Sequence, residues 1–279
     1  MTAESLSLLA RLAEGAGIAL RPGALELFGK FGDFLIERNR QFNLTAVDDE
    51  RGVVVKHFLD SLSCAAYISD LTTRGAAHIG DLTTRGAAHI DGLPAIAAPV
   101  SLVDVGTGAG FPGIPLKIMF GGALNVTFID STAKKINFVK EAVEALRLGG
   151  CEAVHARAEE AAKHAGMRGR YNAATARAVS TLPKLVEYCL PLLAPGGALI
   201  AMKGRREAAE IEIAQSAQAL RRFNGKIRHT ACFKLPAAPA VFPSTPPSAP
   251  PDSPPALPPA LPASPAYYER TLVIVEKLG

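Results

Sequence analysis

The chain has 279 residues, of which 48% are hydrophobic and 20% are charged, and its formal net charge is +4. This composition is that of a globular protein and excludes a disordered or fibrous chain. The mild positive charge permits nucleic acid as a partner without requiring it, because many basic surfaces are only solvated.

The four cysteines, Cys64, Cys151, Cys189 and Cys232, lie far apart, and none forms a CxxC pair. This spacing argues against zinc or a disulfide framework and favours thiols in a reducing compartment. Charged residues interrupt the apolar N-terminus, and Pro, Gly or charge breaks the other long apolar runs. We therefore expect a cytoplasmic protein with no secretory signal, no membrane span and no bound metal.

The first third of the chain predicts a helical layer, which we assign to residues 1–99. Apolar residues at three- and four-residue steps predict helices over 2–20, 24–41 and 53–68. The segments 70–80 and 81–91 then read DLTTRGAAHIG and DLTTRGAAHID, identical at ten of eleven positions. Two copies are too few for a solenoid, so we interpret 70–91 as a duplication within a surface loop.

Residues 100–279 predict an α/β domain, because strand and helix patterns alternate regularly. Such alternation requires crossover connections and hence a mostly parallel sheet that is covered on both faces. The predicted strands are 100–105, 125–130, 151–156, 172–177 and 197–202, and the predicted helices are 113–120, 133–147, 159–165, 181–193 and 206–222. Two final strands, 227–235 and 268–278, predict an antiparallel edge hairpin that encloses a proline-rich insertion, 236–266.

A glycine-rich turn follows the first of these strands, with Asp104 placed two residues before Gly106 and further glycines at Gly108 and Gly110. A strand, a glycine turn and a helix in this order are typical of the cofactor-binding end of an α/β sheet. A dinucleotide site requires its third glycine five residues after the first, where this chain has Phe111. The spacing instead resembles motif I of class I, Rossmann-like methyltransferases that depend on S-adenosylmethionine (SAM).

The chemistry of SAM suits this turn, since the cofactor has no pyrophosphate and carries an amino group, a carboxylate and a sulfonium. Asp104 can interact with the cationic part directly or through water, and backbone N–H groups around Gly108 can face the methionine portion. Asp130 ends the second strand, where a carboxylate can accept hydrogen bonds from ribose hydroxyls. The alternative for Asp130 is a cap at the start of the next helix.

Seven short stretches together resemble the RsmG (GidB) family of bacterial small-subunit rRNA guanine-N7 methyltransferases. They are 43–46, 57–62, 104–115, 130–131, 157–159, 177–178 and 203–204. The extension GFPGIP over 110–115 is the most specific of them. The resemblance implies SAM as cofactor, 16S rRNA in the 30S subunit as partner, and N7 of a guanine as acceptor, guanine 527 of the 530 loop in the family's enzyme. We expect a monomer.

The resemblance also implies roles for individual residues. Gly106 and Phe111 would contact SAM, Ala158 and Glu159 would contact its adenine, and Arg177 would lie beside the transferred methyl group. Glu159 is equally well explained as an acidic residue that favours the start of a helix. Three residues would face RNA, namely Asn43, His57 and Lys203. A structural histidine is an equal alternative for His57, and Lys56 and Lys135 stand where the family commonly has arginine.

The predicted chemistry needs no catalytic base, because guanine N7 carries an available lone pair. Alignment of N7 with the methyl group and the sulfur would be the enzyme's contribution. No cysteine follows a proline, and the segment after 172–177 lacks the Pro-Pro-aromatic motif of amino-group methyltransferases. Two alternatives remain at this stage: a small-molecule methyltransferase of the same fold, and a non-enzymatic module that binds an adenosine ligand.

Overall fold

A computed structural model describes residues 1–74, 99–236 and 267–279. Within these residues seven strands form one sheet, in the order β3–β2–β1–β4–β5–β7–β6. The strands are β1 (Val100–Val105), β2 (Leu124–Asp130), β3 (Cys151–His155), β4 (Tyr171–Arg177), β5 (Leu193–Lys203), β6 (Gly225–Pro236) and β7 (Tyr267–Lys277). Strands β1 to β5 pair in parallel, whereas β7 is antiparallel to both β5 and β6. The predicted fold class, a mostly parallel sheet with an antiparallel C-terminal hairpin, is confirmed.

The helices before β1 form the predicted N-terminal layer and pack on one face of the sheet. Phe28 and Phe31 of the second helix contact Phe58 of the third, with ring centroids 4.9 and 5.7 Å apart. These rings belong to the same buried apolar cluster as Leu102 of β1 and Ile114. The layer therefore shares its core with the sheet, which places residues near position 57 beside the ends of the central strands.

The helix bounds differ from the predicted ones at several ends. The described helices are α1 (Ala3–Gly15), α2 (Ala24–Phe42), α3 (Glu50–Gly52, the π-helical Val53–Leu59 and Asp60–Leu62), α4 (Ala65–Arg74), α5 (Gly113–Phe120), α6 (Ala133–Ala145), α7 (Ala158–Ala161), α8 (Leu182–Cys189), α9 (Arg206–Gln215) and α10 (Ala217–Arg222). The predicted helix over 206–222 is interrupted at Ser216. A π-helical section was not predicted over 53–59, because apolar spacing does not separate π from α geometry over so few residues.

Part of the duplicated segment is helical, which corrects its interpretation as a surface loop. Helix α4 continues to Arg74, and Leu71 in the first copy is buried with 1% of its surface exposed. The first copy therefore begins within the helical layer. The rest of 70–91 and the proline-rich segment from 237 to 266 lie outside the described residues.

Candidate cofactor-binding site

A cavity of about 300 Å³ lies at the carboxyl ends of β1 to β4, where α/β sheets bind their ligands. Four of the predicted site residues line it, namely Gly106, Asp130, Ala158 and Glu159. The remaining lining residues are Ile129, Ser131, Thr132, Lys135, Ala156, Arg157, Ala178, Val179 and Tyr188. The wall combines both signs of charge with apolar surface, so it suits a ligand with polar and aromatic parts.

The glycine turn reaches this cavity at Gly106, where a Cβ would not fit. Gly106, Gly108 and Gly110 have φ angles of 68, 60 and 85°, a region that side chains disfavour. A Cβ on Gly106 would stand 2.4 Å from Cγ2 of Val179. The N–H of Gly106 donates to the carbonyl of Ile129 at 2.8 Å, which fastens the turn to β2.

Asp104 is buried beneath this turn and connects it to the neighbouring elements through hydrogen bonds. Its side chain has no exposed surface, and it accepts hydrogen bonds from the Thr107 hydroxyl (2.7 Å), the Gly113 N–H (3.0 Å) and the Thr175 hydroxyl (2.8 Å). Burial raises the pKa of Asp104, while these three bonds oppose the rise. The carboxylate has no exposed surface, and its contact with the cofactor stays a prediction. Asp104 joins the turn to β4 and α5.

Asp130 reaches the cavity while holding the turn from the other side. Its two carboxylate oxygens accept N–H bonds from Gly108 and Thr132, each at 2.9 Å, and Lys135 Nζ lies 4.0 Å away. Each oxygen keeps a second lone pair, so the carboxylate can still accept ribose hydroxyls. The alternative of a helix cap is wrong, because Thr132 occupies that position before α6. Gly108 does not line the cavity and acts through Asp130.

The far wall of the cavity carries Ala158 and Glu159 at the start of α7. Glu159 is exposed, and its own N–H and the Tyr188 hydroxyl lower the pKa of its carboxyl group. Both interpretations of Glu159, as a ligand contact and as an acid in a first helical turn, fit this position. Tyr188 of α8 was not predicted, because its neighbours on that helix show only the spacing of a buried face. Its ring offers an aromatic surface against which a base can stack.

The third wall is formed where β4 ends, at Ala178 and Val179. Ala178 has a φ of 56°, which costs a residue with a Cβ about 1–3 kcal/mol and tends to occur at functional sites. Val179 is 36% exposed although it is apolar. Neither residue was assigned a role from the sequence, because a left-handed alanine has no compositional mark.

Arg177 lies next to the cavity but not in its lining. Its Nη1 donates to Oδ2 of Asp60 at 2.8 Å and to the Lys56 carbonyl at 3.0 Å, and its Cζ lies 5.1 Å from the centroid of the Phe111 ring. Phe111 is 4% exposed and stacks on His57 at 4.4 Å. The Phe111 side chain therefore belongs to the core, and the SAM contact that the resemblance implies for this residue would involve its backbone.

His57 has the environment of a structural residue. Its Nε2 lies 2.8 Å from the Thr45 hydroxyl, and its Nδ1 lies 3.3 Å from Nη2 of Arg177. Burial, followed by the charge of Arg177, lowers the pKa of His57 to about 3 from its ordinary value of 6.5. The imidazole is consequently neutral at physiological pH and connects the 43–47 loop to Phe111.

This lowered pKa makes a prediction for stability. Below pH 6.5 the unfolded chain binds a proton at His57 that the folded chain does not, so stability falls as the pH is lowered toward 3. Between pH 6.5 and 5, proton binding at His57 in the unfolded chain lowers the free energy of unfolding by about 2 kcal/mol. We expect His57→Gln to lose less free energy of unfolding than the wild type over this interval in urea titrations. Exposed His155→Gln is the control, and equal pH dependence in both variants would contradict the assignment.

The other two predicted RNA contacts differ in their surroundings. Lys203 is 12% exposed, and its ammonium group is bound by Glu212 at 2.7 Å and by the Ser180 carbonyl at 2.8 Å. Its charge is thus paired within the protein, and the RNA contact that the resemblance implies for Lys203 stays a prediction. Asn43 is exposed at the end of α2, with a φ of 47°, and stays a candidate.

Comparison with known proteins shows the family to which this chain belongs. The family model described as rRNA small subunit methyltransferase G matches residues 86–231, more than half of the chain. The chain belongs to this family. Two of its members, from Leuconostoc citreum and Acetivibrio thermocellus, are 39% and 38% identical over 221 and 229 residues. The matches cover 79% and 82% of this chain and 81% and 82% of those relatives.

Among solved structures, the fold matches an O-methyltransferase from Bacillus cereus in complex with SAH, with a TM-score of 0.52 and 14% identity. The match covers 98% of this chain and 99% of that one. Family and fold agree with the resemblance on which the site residues were predicted. No helix in the described part of the chain is long and apolar enough to span a membrane.

Proposed function

We propose that this member of the rRNA small subunit methyltransferase G family transfers a methyl group from SAM to N7 of a guanine in 16S rRNA. The observation that supports the cofactor best is the pairing of Asp130 with the Gly106–Gly110 turn at one cavity. The carboxylate is available for ribose hydroxyls, and the turn brings backbone close to the remaining part of the ligand. Family membership supports the rRNA substrate.

The residues around the cavity fit the three parts of SAM. Asp130 would hold the ribose, Ala158 and Glu159 with the Tyr188 ring would hold the adenine, and Gly106 would face the methionine portion. When bound, SAM supplies an electrophilic methyl carbon. Guanine N7 needs no deprotonation before it attacks, so the task of the protein is to align the two reactants and exclude water.

The surface beside the cavity supports an RNA partner. Asn43, Lys56 and Lys134 are exposed there, and Lys134 Nζ bonds the Phe42 carbonyl at 3.0 Å, which ties α6 to the end of α2. The positive charges of Lys56 and Lys134 suit a phosphate backbone. We infer that the partner is 16S rRNA within the 30S subunit, that the enzyme acts as a monomer, and that it does so in the cytoplasm.

Two measurements test this proposal against its alternatives. Calorimetry with SAM, S-adenosylhomocysteine and NAD should give binding of the first two and none of NAD. Labelled methyl transfer should then occur to undermodified 30S subunits or free 16S rRNA and not to small acceptors. Labelling confined to small acceptors would identify a small-molecule methyltransferase, and binding without any transfer would identify an adenosine-binding module.

Arg177→Ala tests the residue implied to lie beside the methyl group. We expect methyl transfer to fall about tenfold or more, equivalent to 1.4 kcal/mol of transition-state stabilisation. The fold should persist, because Asp60 keeps its two bonds from Arg270. Circular dichroism and labelled transfer provide the readouts, with Arg228→Ala as an exposed control. Wild-type turnover in Arg177→Ala would remove this residue from the site.

A further inference from the structure

A carboxylate without exposed surface lies between the helical layer and the sheet. Asp60 of α3 is 0% exposed and is bound by two guanidinium groups. Arg270 of β7 donates from Nε to Oδ1 at 2.6 Å and from Nη2 to Oδ2 at 2.8 Å, while Arg177 donates from Nη1 to Oδ2 at 2.8 Å. The two arginines are 18% and 12% exposed. Two cations and one anion leave one net positive charge in this cluster.

The two arginines have different positions relative to the cavity. Arg177 directly precedes Ala178 and Val179, which line the cavity, and its guanidinium lies over Phe111. Arg270 lies on β7, donates from Nη1 to the Lys203 carbonyl at 3.2 Å, and is not among the residues that line the cavity. The bidentate ion pair between Arg270 and Asp60 fixes the plane of the Asp60 carboxylate. Arg270 is thus connected to the site through Asp60.

We propose that Asp60 and Arg270 are positioning residues that hold Arg177 in the orientation needed for methyl transfer. The inference rests on the proposed function, since it assumes that Arg177 acts on the reactants. It adds a second layer to the site from two elements, α3 and β7, that contribute nothing to the cavity wall.

The hydrogen bonds of Arg177 support this role. Three of its five N–H groups donate to Asp60, the Lys56 carbonyl and His57, which leaves Nε–H and one N–H of Nη2 without a partner among the described residues. A guanidinium held at three points presents its remaining donors in a fixed direction. Without the Asp60 charge, Arg177 would face only neutral acceptors and the repulsion of Arg270.

Arg270→Gln is the first test, because it removes the bidentate ion pair with Asp60 while leaving that carboxylate paired with Arg177. Arg228→Gln is the matched control, since Arg228 forms a 2.7 Å ion pair with Glu276 on the same hairpin and is distant from this cluster in register. We expect kcat on 16S rRNA to fall about tenfold in Arg270→Gln, equivalent to 1.4 kcal/mol. The Kd for SAM should change less than about twofold, and Arg228→Gln should keep the wild-type kcat.

A double variant separates positioning from a general loss of stability. If Arg270 acts through Arg177, then Arg270→Gln in an Arg177→Gln background should cause no further loss of kcat. A full additional loss in the double variant would overturn the proposal, as would equal kcat in Arg270→Gln and Arg228→Gln. Asp60→Asn keeps the size of the side chain and should reduce kcat at least as much as Arg270→Gln, with folding checked by circular dichroism.

One further readout does not depend on methyl transfer. The charge of Arg177 contributes to the low pKa of His57, so displacement of Arg177 should raise the pKa that NMR titration measures for this imidazole. We expect the rise in Arg270→Gln and not in Arg228→Gln. If wild-type protein methylates no RNA while the His57 pKa rises in Arg270→Gln, the proposed function fails and the positioning role stands. If neither kcat nor the His57 pKa changes, the positioning role fails.

Discussion

Asp130→Ala is expected to weaken SAM binding by about 1.5–3 kcal/mol, the usual range for hydrogen bonds to a charged group. The carboxylate would lose its bonds to the ribose, and the Gly108 N–H would lose the acceptor that lies 2.9 Å away. Calorimetry at constant pH measures the change in Kd directly. The ribose bonds exist only in the bound state, whereas the Gly108 bond is present in the free protein, so its loss should also lower the stability of the free protein.

Two variants make this result specific. Asp130→Asn keeps an acceptor for Gly108 or Thr132 but loses the charge, so we expect a smaller loss of affinity. Exposed Asp48→Ala should bind SAM like the wild type. An unchanged Kd in Asp130→Ala would mean that this carboxylate serves only the backbone of the turn.

Asp104→Ala should destabilise the fold by about 3–5 kcal/mol, because it leaves three buried donors without their acceptor. These donors belong to Thr107, Gly113 and Thr175, so the turn, α5 and β4 would all lose a common attachment. Urea unfolding monitored by circular dichroism measures the change in free energy of unfolding.

Asp48→Ala again provides the matched control, since it removes a carboxylate from the surface of the same protein. Asp104→Asn fills the same space and keeps one acceptor. We therefore expect its loss in free energy of unfolding to lie between the losses of Asp104→Ala and the control. A loss below about 1 kcal/mol in Asp104→Ala would show that the turn is held by its backbone bonds to β2 alone.

The sequence predicted those parts of the site that depend on local order along the chain. Gly106, Asp130, Ala158 and Glu159 each lie at or just beyond the end of a strand, and parallel strands bring their carboxyl ends to one edge of the sheet. The order of strand and helix patterns along the chain also predicted the mostly parallel sheet and its antiparallel C-terminal hairpin. Alternation of apolar residues carries this information, because it records which face of each element is buried.

The features that were not predicted concern burial and long-range pairing, which local patterns do not encode. Asp104 and Asp130 both follow apolar strand residues, yet one is sealed in the core and the other reaches the cavity. Lys203 was predicted to face RNA, and its ion pair with Glu212 on the next helix was not predicted. The pairing of Asp60 with Arg270 spans 210 positions, and no spacing rule connects them.

The register of the C-terminal hairpin has a consequence for how this protein varies over evolution. Pro236 of β6 pairs with Tyr267 of β7, so the chain departs and returns at neighbouring points of the sheet. The entropy of closing a loop grows only with the logarithm of its length, about 0.6 kcal/mol for each doubling. Lineages can therefore lengthen or shorten the segment between these residues by many codons at little energetic cost. A change in the length of the segment between Pro236 and Tyr267 is therefore compatible with strict conservation of β6 and β7.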